Sequence, residues 1–230
     1  MADASLTVPL TQIARAYAKE KDVQVATIFG SSKSHIAAIE AGDDANVFIA
    51  AKPSWIKDLQ NKGLTDAYSR IAIAGNALAW VSSSKKSAPI ALSAKMKGLS
   101  FLDDYGDTMC FFGDPEYLAE GTYALETLTS LNLMSEMEPC FSFLQDHADM
   151  IRSIVRYDGY SFIFSSDANL FPGIKSITPV KENLHAPIQY QAVVVAGEDM
   201  PAGREFLKYL QGPTAQGIFK ANHFTVPNPS

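Results

Sequence analysis

Apolar residues recur at helical spacing near the start of the chain, where Leu10, Ile13, Ala14 and Tyr17 fall on one face at i, i+3, i+4 and i+7. The pattern then alternates. Val23, Val25, Thr27 and Phe29 predict a strand from Val23 to Phe29, broken by Gly30-Ser31-Ser32. A short helix follows to Ala41 and stops at Gly42, where a left-handed cap is preferred. Val47 to Ala51 is an unbroken apolar run, as in a strand covered on both faces. Pro53 opens a helix in its first turn, where its missing N–H costs nothing. Trp55, Ile56 and Leu59 form its inner face, and Gly63 ends it. Leu78 to Val81 predicts another strand, and Ser82 to Pro89 a polar surface crossing.

The second half repeats the style. Met109 to Phe112 predicts a strand, Gly113-Asp114-Pro115 a turn, and Leu118, Leu125, Leu128 and Leu131 a helix face with Gly121 inside the helix. Cys140 to Leu144 predicts a strand, with Asp146 as the N-cap of a helix whose inner face is Met150, Ile151, Ile154 and Val155. Tyr160 to Phe164 is a further strand, and Leu170 to Pro187 reads as irregular. Gln191 to Ala196 predicts a fully buried strand. Pro201 and Pro213 each start a helix, with Phe206, Leu207 and Leu210 facing inward from the first and Ile218 and Phe219 from the second. Alternating strands and helices predict an α/β fold with mainly parallel sheets.

Composition narrows the function classes. The 230 residues are 47% hydrophobic and 19% charged, enough for one large domain or two lobes of roughly 100 residues each. The net charge is −6 and the longest basic cluster is Lys85-Lys86, which argues against nucleic-acid binding by counterion release. No apolar run reaches the ~18 residues of a membrane span. Met1-Ala2-Asp3-Ala4 is no signal peptide, so either the protein is cytoplasmic or a targeting segment is missing from the sequence. Cys110 and Cys140 read as buried strand cysteines rather than a bridge, and decide no compartment.

Enzyme motifs are scarce. There is no phosphate loop, dinucleotide fingerprint or nucleophile elbow. His35, His147, His185 and His223 have no metal-ligand spacing and read as surface or second-layer residues. Asp43-Asp44 and Asp103-Asp104 read as solvated turns. Polar donors do recur where strands end and helices begin: Ser5, Ser31-Ser32, the segment Glu116 to Gly121, and Asp146-His147. In an open parallel sheet ligands bind at the carboxyl ends of strands, and helix N-termini favour anions. Singly, each such residue is a plain helix cap; together they could hold an oxyanion without Arg or Lys.

The order Ala4-Ser5-Leu6, Phe29-Gly30-Ser31-Ser32, Ile39-Glu40-Ala41-Gly42, Asn46-Val47-Phe48-Ile49-Ala50-Ala51 and Trp55 resembles the molybdate-binding proteins of ABC importers. The likeness continues through Ala74-Gly75-Asn76-Ala77-Leu78, Gly113-Asp114-Pro115-Glu116 and Ser166-Asp167-Ala168, and through the C-terminal helices to Phe224-Thr225-Val226. It implies the two-lobe, type II periplasmic-binding-protein fold, α/β, with each lobe a mostly parallel sheet flanked by helices. Lobe 1 would be residues 1–79 plus 192–230 and lobe 2 residues 80–191, with the hinge near 79–81 and 189–192. It also implies a monomeric, extracytoplasmic solute-binding protein that is not an enzyme and carries no cofactor. The protein would capture molybdate or tungstate between its lobes and deliver it to a membrane permease, with no nucleic-acid partner. The alternatives are the same fold binding a different anion, an enzyme using the cleft, a cytoplasmic ligand-sensing domain, and a folded remnant with weak or no ligand binding.

Carried over by position, Ser5 and Ser32 each supply a hydroxyl and an N–H, and Glu120 supplies a backbone N–H. His147 supplies another, with Asp146 open as the alternative register. Phe164 stands where many members have a tyrosine hydroxyl, so one donor is missing. Glu120 replaces a small residue, and its carboxylate is expected to point to solvent, away from an anion. Only four residues precede Ser5, so the family's first strand is expected to be nearly absent, with ladder groups exposed. The expectation is a shortened sequence, which would also explain the missing signal peptide.

Overall fold

Short apolar runs that end in Gly, Ser or Asp become parallel strands feeding helices, and they do so in two separate sets. In the computed structural model, which describes residues 1–86, 89–93 and 109–227, the chain divides into unit 1, Met1–Asn76 with Ile188–Ser230, and unit 2, Ala77–Pro187. In unit 1, β1 (Ala2–Asp3), α1 (Thr7–Lys21), β2 (Phe29–Gly30), α2 (Ser32–Glu40), β3 (Val47–Ala50), α3 (Pro53–Asn61) and β4 (Ile71–Gly75) come first. In unit 2, β5 (Leu78–Ser83), β6 (Cys110–Gly113), α4 (Ala119–Leu131), α5 (Met134–Met137), β7 (Phe141–Leu144), α6 (His147–Arg156), β8 (Tyr160–Phe164), α7 (Ser165–Leu170) and β9 (Ile174–Pro179) follow. The chain then returns to unit 1 with β10 (Gln189–Val194), α8 (Met200–Leu210) and α9 (Pro213–Ala221).

Unit 1 has a five-stranded sheet of order β2-β1-β3-β10-β4. β1 is parallel to β2 and β3, and β10 is antiparallel to β3 and β4. Unit 2 has the order β7-β6-β8-β5-β9, with β5 antiparallel to both neighbours. Each sheet is thus mostly parallel with one antiparallel strand, as the fold class requires. The chain crosses between units at Asn76–Ala77 and Pro187–Ile188. These points lie a few residues N-terminal to the expected crossings, because Leu78–Ser83 pairs wholly within unit 2 and Gln189–Val194 wholly within unit 1.

The first strand is cut to the two residues Ala2–Asp3, in keeping with its expected near absence, but its ladder groups are paired and buried rather than exposed. Ala2 pairs with Phe29 on one side and Ile49 on the other, and Asp3 with Gly30. Two residues bridge the sheet because the chain turns into a helix immediately afterwards. Their brevity also limits β2. The expected strand from Val23 to Phe29 shrinks to Phe29–Gly30, since an edge strand pairs only as far as its neighbour extends, and Val23 and Ile28 are exposed.

Two strands escaped the pattern. Ile71–Gly75 is too short and alanine-rich to stand out. Ile174–Pro179 lies in the segment expected to be irregular; it is an edge strand, where a proline is tolerated. The inner face of α4 is also rotated from the expected leucine stripe. Tyr123, Ala124, Thr127 and Leu128 are buried, whereas Leu125 and Leu131 are only half-buried. Gly121 sets this orientation: a methyl there would collide with the Gly113 carbonyl, so the helix start lies directly on the end of β6.

The cysteines correct a further expectation. Cys110, at the start of β6, is disulfide-bonded to Cys140, just before β7. The two strands are parallel neighbours, which brings the Cα atoms to 5.3 Å, within the range a disulfide needs. The core of unit 2 is aromatic around β5. Trp80 stacks on Tyr160 with centroids 5.2 Å apart, and its indole N–H donates to the Ile90 carbonyl at 2.8 Å. Among the described residues no helix is long and apolar enough to cross a membrane. Asp103-Asp104 lies outside the described residues.

Candidate functional site

In unit 1 the site is built at the strand-to-helix steps. β1 ends at Asp3, and Ala4–Leu6 form a 3-10 turn that leads into α1. This puts Ser5 at the carboxyl end of a central strand, where it is buried. α2 begins one step away, after β2. Ser31 is its cap, accepting from the Ser34 N–H at 3.2 Å, and this leaves Ser32 turned inward and fully buried.

The two serines converge on a carboxylate of their own chain. The Ser5 hydroxyl donates to Asp3 Oδ1 at 2.7 Å and the Ser5 N–H to the same oxygen at 3.2 Å. The Ser32 hydroxyl reaches Asp3 Oδ2 at 3.3 Å. Asp3 is only 3% exposed. A hydroxyl has one proton, so with Ser5 donating to Asp3, the Tyr190 hydroxyl is the donor in its 2.7 Å contact with Ser5 Oγ. The Asn76 amide in turn donates to Tyr190 Oη at 3.4 Å. The polar chain thus runs Asn76, Tyr190, Ser5, Asp3, each bond polarising the next. Beside it, His35 is buried and its Nε2 lies 3.0 Å from the Ala2 carbonyl. Burial holds its imidazole below the usual histidine pKa.

In unit 2, β6 ends at Gly113 and α4 starts at Ala119, with no side-chain cap on its first turn. Glu120 is the second residue of α4, and acidic charge there suits the positive end of the helix. Its carboxylate does not point to solvent, contrary to expectation. Glu120 is 1% exposed, and its Oε1 lies 2.7 Å from His147 Nδ1. The physical reason is the hydrogen bond: an imidazole nitrogen at this distance satisfies one oxygen of a buried carboxylate that would otherwise be costly. His147 Nε2 lies 3.7 Å from Asp167 Oδ2, so the ring stands between two acids. Glu120 Oε2 is buried with no hydrogen-bond partner.

His147 is the first residue of α6, and Asp146 is its cap, accepting from the Asp149 N–H at 2.9 Å. Asp146 is exposed and His147 buried. Phe164 ends β8, fully buried, with its ring 6.4 Å from that of Tyr123. Ser5 and Ser32 therefore meet in unit 1, and Glu120 and His147 meet in unit 2.

Sequence reasoning missed Asp3, Tyr190, Asn76 and Asp167. Asp3 carried a signal, an acid two residues before a serine at a strand end, which is a capping pattern. Tyr190 carried none, being one more aromatic in an apolar strand. Among the described residues no group of three His, Cys, Asp or Glu side chains could hold a metal ion. Hydroxyls and helix-start N–H groups are the chemistry offered, and they suit an anion.

The comparisons agree with that chemistry. The model of a family described as bacterial extracellular solute-binding protein matches residues 1–225. The molybdate-binding protein ModA of Escherichia coli is 31% identical over 227 residues, covering 98% of this chain and 87% of that one. The ModA of Haemophilus influenzae is 29% identical over 226 residues, covering 97% and 88%. In fold, the periplasmic molybdate-binding protein of Azotobacter vinelandii superposes with a TM-score of 0.83 at 22% identity, covering 99% of this chain and 98% of that one. The chain belongs to the bacterial extracellular solute-binding protein family.

Proposed function

We propose that this protein captures molybdate outside the cytoplasm and hands it to an ABC permease, acting by binding alone. The observation that carries the reading is near full-length similarity to molybdate-binding proteins, at 31% identity for one of them. The local geometry supports it. Two buried serine hydroxyls and one N–H converge on the two oxygens of a single carboxylate in unit 1, so these groups are oriented as anion donors. We assign Ser5 and Ser32 as hydroxyl donors and Glu120 and His147 as backbone N–H donors at helix starts. Phe164 lends packing but no hydrogen bond. Tungstate, a tetrahedral dianion of similar size, is the second ligand of this reading. The binding-only reading is supported by both ring nitrogens of His147 facing carboxylates of its own chain, which leaves neither ring nitrogen directed at a hydroxyl nucleophile.

The test is a melting titration of the purified protein with molybdate, tungstate, sulfate and phosphate. A ligand that binds only the native state stabilises it by RT ln(1 + [L]/Kd). The reading expects a concentration-dependent rise with molybdate and tungstate, little with sulfate or phosphate, and loss of the rise in Ser32→Ala. A melt that molybdate leaves unmoved at millimolar concentration contradicts it.

A further inference from the structure

We propose that Asp3 is a built-in anion: its carboxylate occupies, within unit 1, the donors that would hold an external oxyanion, so that ligand enters by displacing it. The inference rests on the oxyanion reading for the identity of the ligand, but its geometry stands independently. Three of the four donors that Ser5 and Ser32 offer in unit 1 are already engaged by Asp3. The Ser5 hydroxyl lies 2.7 Å from Oδ1, the Ser5 N–H nitrogen 3.2 Å from Oδ1, and the Ser32 hydroxyl 3.3 Å from Oδ2. A serine hydroxyl has a single proton and an N–H has one, so none of these donors serves two anions at full strength. A dianion at the same donors would also face a buried carboxylate in low-dielectric surroundings, where like charges repel strongly.

The contacts are graded in a way that suits exchange. The Ser5 hydroxyl bond is short and is reinforced from behind by Tyr190, which donates to Ser5 Oγ at 2.7 Å. The Ser32 bond, at 3.3 Å, is longer than the usual hydroxyl range and is the one an incoming oxygen takes first. Asp3 lies only two residues from Ser5 along the chain, so the carboxylate remains next to its donors when displaced. Asp3 is then a specificity-determining residue. It sets a threshold that only an anion holding these donors better than a tethered carboxylate can pass, and truncating it lowers that threshold.

The experiment compares wild type, Asp3→Ala, Asp3→Asn and the double variant Asp3→Ala with Ser32→Ala. Two ligands are used: molybdate, by titration calorimetry, and sodium formate, by thermal melting against a sodium chloride control. The expected result is that Asp3→Ala binds molybdate about ten- to hundredfold more tightly than wild type, the size of one charged hydrogen bond released to the ligand. Formate, a free carboxylate, is expected to raise the melting temperature of Asp3→Ala but not of wild type or of the double variant. Should alanine fail to fold, Asp3→Asn keeps an acceptor for the cap and removes the charge, and it is still expected to tighten molybdate binding. Unchanged or weaker molybdate binding in Asp3→Ala, with no formate response, overturns the proposal and leaves Asp3 a helix cap. Formate rescue without molybdate binding in any variant upholds the built-in anion and refutes molybdate as the ligand. No response of any variant to either anion overturns both.

Discussion

Reducing the Cys110–Cys140 bond perturbs unit 2 at one covalent point. The bond closes a loop of 30 residues that contains α4 and Glu120. Chain-entropy arguments give a loop of that length about 3.6 kcal/mol of stabilisation at 25 °C, through a constrained unfolded state. The two tryptophans allow the effect to be assigned to a unit, since Trp55 lies in unit 1 and Trp80 is buried in unit 2. In a Trp55→Phe background, urea unfolding followed by Trp80 fluorescence with and without a phosphine reductant reads unit 2 directly. With a denaturant slope of about 1–3 kcal/mol/M, the midpoint is expected to fall by roughly 1–4 M on reduction. In a Trp80→Phe background the Trp55 signal is expected to move far less. A Trp80 midpoint that stays put, or two free thiols titrated in the untreated native protein, refutes the reasoning. The bond also fits an extracellular family, because disulfides persist in oxidising compartments.

Other predictions follow from single contacts. Gly121→Ala pushes a methyl into the Gly113 carbonyl and is expected to cost at least about 1–3 kcal/mol, measured by the same urea assay. Removing Glu120 or His147 leaves the other group buried without its partner; each alanine variant is expected to cost about 1–3 kcal/mol, and a double-mutant cycle should show a coupling above 0.5 kcal/mol. His35 is held below its unfolded value of 6.5 by burial, so the unfolded chain takes up the proton first as pH falls. Its contribution is therefore fully present above pH 6.5 and is lost as pH falls through the folded value; His35→Gln should flatten stability against pH between about 7 and 5.

Much of the fold was legible because burial and helix spacing dominate its longer elements. The α1 face of Leu10, Ile13, Ala14 and Tyr17 is buried as the spacing predicts, and so is the Val47–Ala50 strand. What failed was pairing length. Nothing within residues 23–28 says that their neighbour offers only two ladder residues, so an alternating run became loop. The cysteines failed for a related reason: the parallel pairing of β6 with β7 sets their separation, and sequence distance does not. At the candidate site, the strand-end positions of Ser5 and Ser32 were readable. The groups that engage them were not, because Asp3 and Tyr190 lie 187 positions apart and meet only through the β1-β3-β10 order. Glu120 was read alone, and its burial makes sense only once His147 is beside it.

The central claim, oxyanion capture, is tested most directly by counting metal atoms retained per chain. The protein is dialysed to equilibrium against sodium molybdate, separated from free ligand by rapid gel filtration, and analysed for molybdenum and sulfur. The prediction is one molybdenum per chain, displaced by tungstate and left in place by sulfate or phosphate, and lost in Ser5→Ala and Ser32→Ala. No retained molybdenum in a natively folded protein, or retention that both serine variants leave unchanged, would contradict it.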